Sequence, residues 1–247
     1  MVRIDFCYNE KKKDGFYLKN VFVVGDIHGC FDELIELLQH WDKTEEQLIF
    51  LGDYIDRGKD SRKVLEFIQN LVQKDGAIAL KGNHELMFID WLNEWQSDRF
   101  VRNGGKETIY SLLGTDTEID ERRAVAEAYP QTLHFLKNLP LYYEWGNYLF
   151  VHAGINPTLS NWKQNTEHDF LWIRDDFHFQ TNPTNKVIIF GHTPVQMLHP
   201  EPISQPWISP CATKIGMDGG LVFGGKLFGL RISSDGTRKW FEQQKHE

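Results

Sequence analysis

The chain is predicted to fold as an α/β protein, and three observations carry that prediction. Apolar runs of strand length recur at 21–24 (VFVV), 48–51 (LIFL), 77–80 (AIAL), 148–151 (YLFV) and 187–190 (VIIF). Segments with apolar residues at helical spacing follow the first three. Each run also leads into a small polar cluster: Gly25-Asp26-Ile27-His28-Gly29, Gly52-Asp53-Tyr54-Ile55-Asp56-Arg57-Gly58, Gly82-Asn83-His84-Glu85, His152-Ala153-Gly154 and Gly191-His192-Thr193. Strand and helix in alternation argue for parallel neighbours. In such sheets ligands gather at loops beyond the carboxyl ends of the strands, so clusters spread from Asp26 to His192 can converge.

After a polar leader, Met1 to Gly15, residues 21–24 are continuously apolar, as a strand buried on both faces requires. Phe31, Leu34, Ile35 and Leu38 fall at i, i+3, i+4 and i+7, with Leu37 and Trp41 widening the stripe, while Asp32 and Glu33 suit the positive end of a helix dipole. The pattern recurs as strand 48–51 with a helix through Val64, Leu65, Ile68 and Leu71. It recurs again as strand 77–80 with a helix through Leu86, Ile89, Trp91 and Trp95, which places both tryptophans in the core. Residues 96–140 read as a helical excursion with a turn at Asn103-Gly104-Gly105, an Arg- and Glu-rich segment at 118–128 and Pro130 and Pro140 as breakers. It is expected to form a rim over the site. Leu221-Val222-Phe223, Gly224-Gly225 and Lys226 to Ile232 read as a β-hairpin, because a Gly-Gly turn tolerates positive φ at both central positions. A second, more antiparallel sheet is expected there.

At 247 residues the chain fits one large domain, 1–247, that can bury a core without disulfides. A composition of 41% hydrophobic and 25% charged residues excludes a largely disordered chain. The 27 Lys and Arg against 35 Asp and Glu leave a net charge of −8, which argues against a nucleic-acid partner. Cys7, Cys30 and Cys211 are widely spaced with no CxxC, so neither a disulfide framework nor a zinc knot is expected. No apolar run is long enough to span a bilayer, and the leader, with Lys11-Lys12-Lys13 as a solvated turn at its centre, lacks a signal-peptide core. A cytoplasmic protein with no membrane partner is the expectation, and nothing in the sequence sets an oligomeric state.

The clusters hold the residue types that bind divalent cations. Asp26 and His28 stand two apart between glycines, which lets the backbone aim a carboxylate and an imidazole at one point, although an Asp opening a helix is ordinarily an N-cap. Asp53, Asp56 and Arg57 crowd into five residues, with Asp53 suited to bridging two ions and Arg57 to holding a phosphate oxygen through its planar fork. Asn83 offers a neutral amide oxygen. His152 and His192 each stand at a strand end, where half-buried histidines are also ordinary. Five such clusters in this order are not an accident of composition. Two cations side by side are able to activate a water for attack on a phosphate ester at neutral pH.

These clusters resemble those of the metallophosphoesterases, and within them the phosphoprotein phosphatase family in its compact bacterial and phage form. The likeness runs from Val21 to Ile232. It implies an αββα sandwich, two mixed β-sheets flanked by helices. It further implies that Asp26, His28 and Asp53 hold one metal and that Asp53, Asn83, His152 and His192 hold the other. The mixed oxygen and nitrogen donors suit Mn²⁺, with Fe or Zn²⁺ as alternatives, better than Ca²⁺. A hydroxide shared by the metals would then attack phosphorus in line, so Cys30 has no nucleophilic role. The resemblance makes His84 the proton donor to the leaving group, Asp56 its orienting partner, and Arg57 and Arg174 the phosphate clamp.

Three features bear on substrate. Pro194 stands where many metallophosphoesterases, nucleases among them, carry a further metal-binding His. Asp56 and Glu85 favour the protein-phosphatase side over the symmetrical diadenosine tetraphosphate hydrolases, which usually lack that first acid and end the third motif in Asp. A serine/threonine phosphoprotein phosphatase is thus the first expectation, with dinucleoside polyphosphate hydrolysis the second. A non-catalytic metal-dependent binding protein comes last, because no ligand is missing.

Overall fold

A computed structural model describes residues 19–114 and 120–246. The leader, with Cys7 and Lys11 to Lys13, and the first part of the 118–128 segment lie outside the described residues. Ten strands are formed among them: β1 (Asn20–Val24), β2 (Glu46–Phe50), β3 (Ile78–Ala79), β4 (Tyr142–Trp145), β5 (Tyr148–Val151), β6 (Val187–Phe190), β7 (Trp207–Ile208), β8 (Lys214–Gly216), β9 (Lys226–Ile232) and β10 (Arg238–Gln244). They make two five-stranded sheets with the orders β10-β9-β1-β2-β3 and β4-β5-β6-β8-β7. Pairs β1–β2, β2–β3, β5–β6 and β6–β8 are parallel and the others antiparallel, so both sheets are mixed.

The continuous apolar runs follow from burial on both faces. Val21, Val23, Ile49 and Leu51 pack with Leu149, Val151 and Ile189 of the other sheet, while Phe22, Val24, Leu48 and Phe50 face the helices. The period of two in a strand divides one run between two cores. The helices on the first sheet are α1 (Phe31–Leu37), α2 (Ser61–Asp75), α3 (Asn83–Leu92), α4 (Ser97–Phe100), α5 (Lys106–Leu113), α6 (Glu121–Ala128) and α7 (Pro130–Lys137). The short α8 (Glu167–Trp172) and α9 (Asp175–His178) cover the second. The result is the αββα sandwich that the resemblance implies. No described helix is long and apolar enough to cross a membrane.

The structure corrects three sequence expectations. Helix α3 stops at Leu92, and Glu94 and Gln96 then adopt positive φ, so Trp91 is buried while Trp95 leaves the helical repeat and is 63% exposed. Residues Leu221–Phe223 form a 3-10 turn instead of a strand. Gly225 packs its backbone directly on the carbonyl oxygen of Gly219, leaving no room for a side chain. The hairpin is formed by β9 and β10 around Asp235-Gly236, where Gly236 has φ 88°. It extends the first sheet beside β1 and does not start an antiparallel sheet of its own. The run 77–80 yields only the two-residue edge strand β3, since β2 is its single neighbour.

Candidate active site

The loops after β1, β2, β3, β5 and β6 meet at one end of the sandwich. The amides of Ile27 and His28 donate to the carbonyl of Asp53 at 3.1 and 2.9 Å, and Gly191 N donates to His152 O at 2.8 Å, which ties neighbouring clusters together. Of the eight described non-glycine residues with positive φ, five are His28 (48°), Asp53 (53°), Asp56 (73°), Arg57 (69°) and His192 (64°). Each such conformation costs on the order of 1 kcal/mol and persists only where surrounding contacts impose it. Glu85 is one source of that constraint. Its carboxylate accepts from Asp53 N (2.9 Å), Tyr54 N (2.8 Å) and Gly82 N (2.8 Å), clamping the second cluster to the third.

The histidine tautomers are set by backbone carbonyls, which can only accept. His28 Nδ1 donates to Ile55 O at 2.8 Å and His152 Nδ1 donates to Leu51 O at 2.9 Å. Each therefore turns an Nε2 lone pair inward, as a metal ligand requires. His152 Nε2 lies 2.9 Å from Asn83 Oδ1 and 3.3 Å from an Asp53 carboxylate oxygen, and His192 Nδ1 lies 2.8 Å from the same Asn83 oxygen. Converging lone pairs of this kind call for a cation between them. Asp26 Oδ1 is buried with no hydrogen-bond partner, which fits the same requirement.

Distances divide the donors into two groups that share Asp53. Ligand atoms of His28, Asp53 and His84 lie within 4.8 Å of one another, and so do those of Asp53, His152 and His192. His84 thus stands in the first group where the resemblance places Asp26. Asp26 is nonetheless close by, with Oδ2 accepting from His192 N at 2.9 Å. Burial opposes ionisation of Asp53, but positive charge on the neighbouring histidines, which His84 with its raised pKa retains, holds its carboxyl below the usual range. Burial, reinforced by positive neighbours, keeps His28 and His192 well below the ordinary imidazole value and therefore neutral. Neutral imidazoles around an ionised carboxylate form a donor set ready for divalent metal.

His84 is bound differently. Its Nδ1 meets Asp56 Oδ2 at 2.6 Å, leaving Nε2 facing Asp53 at 3.9 Å. Burial pulls its pKa down, but Asp53 and the hydrogen bond to Asp56 prevail and raise it above the ordinary value. Arg57 donates from Nη1 to His28 Nε2 at 2.7 Å, and its guanidinium lies 5.2 Å from the centre of the exposed Phe223 ring. Across the cleft, Arg174 donates to Thr193 Oγ1 at 3.0 Å beside the His192 carbonyl. All ten residues singled out in the sequence are brought to this one cleft.

A family model for the calcineurin-like phosphoesterases matches residues 19–225. The chain belongs to that family. An asymmetrical bis(5'-nucleosyl)-tetraphosphatase, PrpE, of Oceanobacillus iheyensis is 30% identical over 241 residues, covering 85% of this chain and 87% of its own. A serine/threonine-protein phosphatase 1 of Salmonella typhimurium is 30% identical over 223 residues, covering 87% of this chain and 92% of its own. Among solved structures, a cold-active protein tyrosine phosphatase superposes with a TM-score of 0.62 at 19% identity, over 90% of this chain and 78% of that one, a likeness of fold. The phosphoesterase is accordingly a hydrolase of a metal-dependent class, and its relatives divide between nucleotide and phosphoprotein substrates.

Three residues of this calcineurin-like phosphoesterase escaped the sequence reading. Asp218 is buried, accepts from Gly220 N at 2.9 Å, and is pushed up to about 6 by burial, with Asp53 adding to the effect. Burial raises the Asp26 carboxyl well above its ordinary value, and Asp218 adds to the effect. Its signal was present: Lys214 to Gly216 is a strand, and Asp218-Gly219-Gly220 follows it as a further strand-end cluster. Ser61 and Thr108, both buried, hydrogen-bond to Asp56 and left no comparable mark in the sequence.

Proposed function

We propose that the chain is a metal-dependent phosphomonoester hydrolase acting on alkyl phosphates, with serine and threonine phosphoproteins as its substrate class. The observation that carries this reading is the His84–Asp56 pair, 2.6 Å apart and buried at the edge of the donor cluster. An alkoxide is a poor leaving group and needs a proton, whereas a nucleotide leaves from an anhydride without one. Asp26, His28 and Asp53 would hold one divalent ion and Asp53, Asn83, His152 and His192 the other, with Mn²⁺ first by donor type and Fe or Zn²⁺ next. When bound, such a pair supplies a water nucleophile at neutral pH and neutralises charge on the phosphoryl oxygens.

The chain's own residues do the rest. Arg57 and Arg174, on opposite sides of the cleft, bind and orient the phosphoryl group. Asp56 holds the Nδ1 proton of His84, so that Nε2 is the atom that delivers a proton to the departing oxygen. Cys30, 3% exposed and beside Lys245, takes no part. Purified protein with Mn²⁺ is expected to cleave p-nitrophenyl phosphate between pH 6 and 9; inert protein across that range would sink the proposal.

A second reading, dinucleoside polyphosphate hydrolysis, is favoured by Phe223. This ring is 69% exposed beside Arg57, where it offers a stacking face for a nucleobase. Comparison of kcat/KM on a phosphothreonine peptide and on diadenosine tetraphosphate, with one preparation, decides between the two. A higher value on the dinucleotide would replace the first reading.

A further inference from the structure

The helical excursion reaches into the cleft at its floor. Arg57 N donates to Gly104 O at 3.0 Å, between α4 and α5. Four residues on, Thr108 Oγ1 donates to Asp56 Oδ1 at 2.6 Å and accepts from Asp56 N at 2.9 Å. Ser61 Oγ lies 3.1 Å from Thr108 Oγ1 and 3.1 Å from Asp56 N. Thr108, Ser61, Asp56 and His84 are all nearly or wholly inaccessible to solvent, so loss of one hydroxyl leaves its partner's polar atom buried and unpaired.

Proton counting leaves one consistent arrangement. With Asp56 ionised, its Oδ1 only accepts, so the single Thr108 hydroxyl proton goes to it. Ser61 must then donate to Thr108, and its lone pairs take the Asp56 amide. The chain of donation runs Ser61 to Thr108 to Asp56 Oδ1, while Asp56 Oδ2 takes the Nδ1 proton of His84. Both oxygens of one carboxylate are thereby committed, and the plane of Asp56 is locked toward His84. Glycine-free positive φ at Asp56 (73°) makes this bracing necessary, because the backbone alone does not hold the side chain there.

We propose that Thr108 is a positioning residue for the leaving-group proton donor, acting through Asp56 on His84, and that the excursion is thus part of the catalytic apparatus as well as its rim. This inference rests on the reading of His84 as general acid. Loss of an outer partner of this kind is expected to cost about tenfold, within the roughly 10- to 100-fold range seen for such partners. The loss should appear selectively where the leaving group needs a proton.

The test compares Thr108→Val, Thr108→Ser and His84→Asn on a phosphoserine peptide and on p-nitrophenyl phosphate, with Mn²⁺ present. Taking the ratio of the two rates in one preparation cancels any difference in the amount of folded protein. Thr108→Val is expected to lower the peptide rate about tenfold and the aryl rate less than about threefold, with Thr108→Ser restoring the wild-type ratio. A selective loss in His84→Asn with an unchanged ratio in Thr108→Val would overturn the role of Thr108 alone. Equal losses on both substrates in His84→Asn would overturn the general-acid reading and this inference with it. Failure of Thr108→Ser to restore the ratio would likewise exclude the hydroxyl.

Discussion

On the first sheet the cleft residues sit on loops whose backbone is strained and is braced by residues of the helices and turns beside them, whereas on the second sheet two histidines extend almost directly from strand ends. Asp53, Asp56 and Arg57 all have positive φ, and Glu85, Ser61, Thr108 and the Gly104 carbonyl hold them in place. His152 needs no such support: β5 delivers it, and the Leu51 carbonyl of the opposite sheet fixes its ring. His192 shares the left-handed backbone, yet its brace also comes from across the sandwich, through Asp26. The difference teaches that strand register suffices to present a histidine in the cleft, while holding strained loop residues in place needs a network built from distant segments.

The largest expected effect comes from breaking the residue that both flanks share. Asp53→Asn should lower kcat/KM by more than about a thousandfold and strip the protein of bound metal, since Asp53 is common to both donor groups. Elemental analysis of the purified variant after incubation with Mn²⁺ reads this out, and full metal content would remove Asp53 from the residues that would hold metal. Next in size is the contrast between the two arginines. Arg57→Ala, on the braced flank, is expected to raise KM for p-nitrophenyl phosphate by roughly tenfold or more, and Arg174→Ala by only a fewfold. A reversed order would mean that the second flank holds the phosphate.

The smallest expected effect lies behind the second sheet. His178 is buried against Phe190, Phe177 and Trp207 with neither ring nitrogen hydrogen-bonded, and burial pulls its pKa from about 6.5 to about 4. The unfolded chain therefore binds a proton that the folded one refuses between those two values. Stability is full above pH 6.5 and falls as pH drops toward 4, by at most roughly 3 kcal/mol. His178→Leu should flatten this acid decline in Tm while leaving Tm at pH 8 within a few degrees. An unchanged slope from pH 6.5 to 4 would show that other groups set the acid limit.

Legibility in the sequence followed the same division between flanks. The metal-type donors were readable because each stands where an apolar strand gives way to glycine, a local pattern that survives without knowledge of the fold. Asp218 obeys that rule behind a strand of only three residues, and the shortness of the run hid it. The hairpin at 221–232 was misplaced because paired glycines signal either a turn or a close backbone approach, and only neighbours from elsewhere in the chain distinguish the two. Trp95 was misplaced because helical spacing continues on paper past residues that have already left the helix.

By itself the sequence determined which strands are buried on both faces, through continuous apolar runs, and the chemical character of the cleft, through the residue types at strand ends. Only the tertiary structure decided that Thr108 in the excursion and Ser61 at the start of α2 converge on Asp56, and that Glu85 clamps the Asp53 loop. The physical reason is that burial of a strand imposes a period along the chain, whereas a hydrogen bond between buried polar groups imposes only proximity, which the chain can satisfy at any separation.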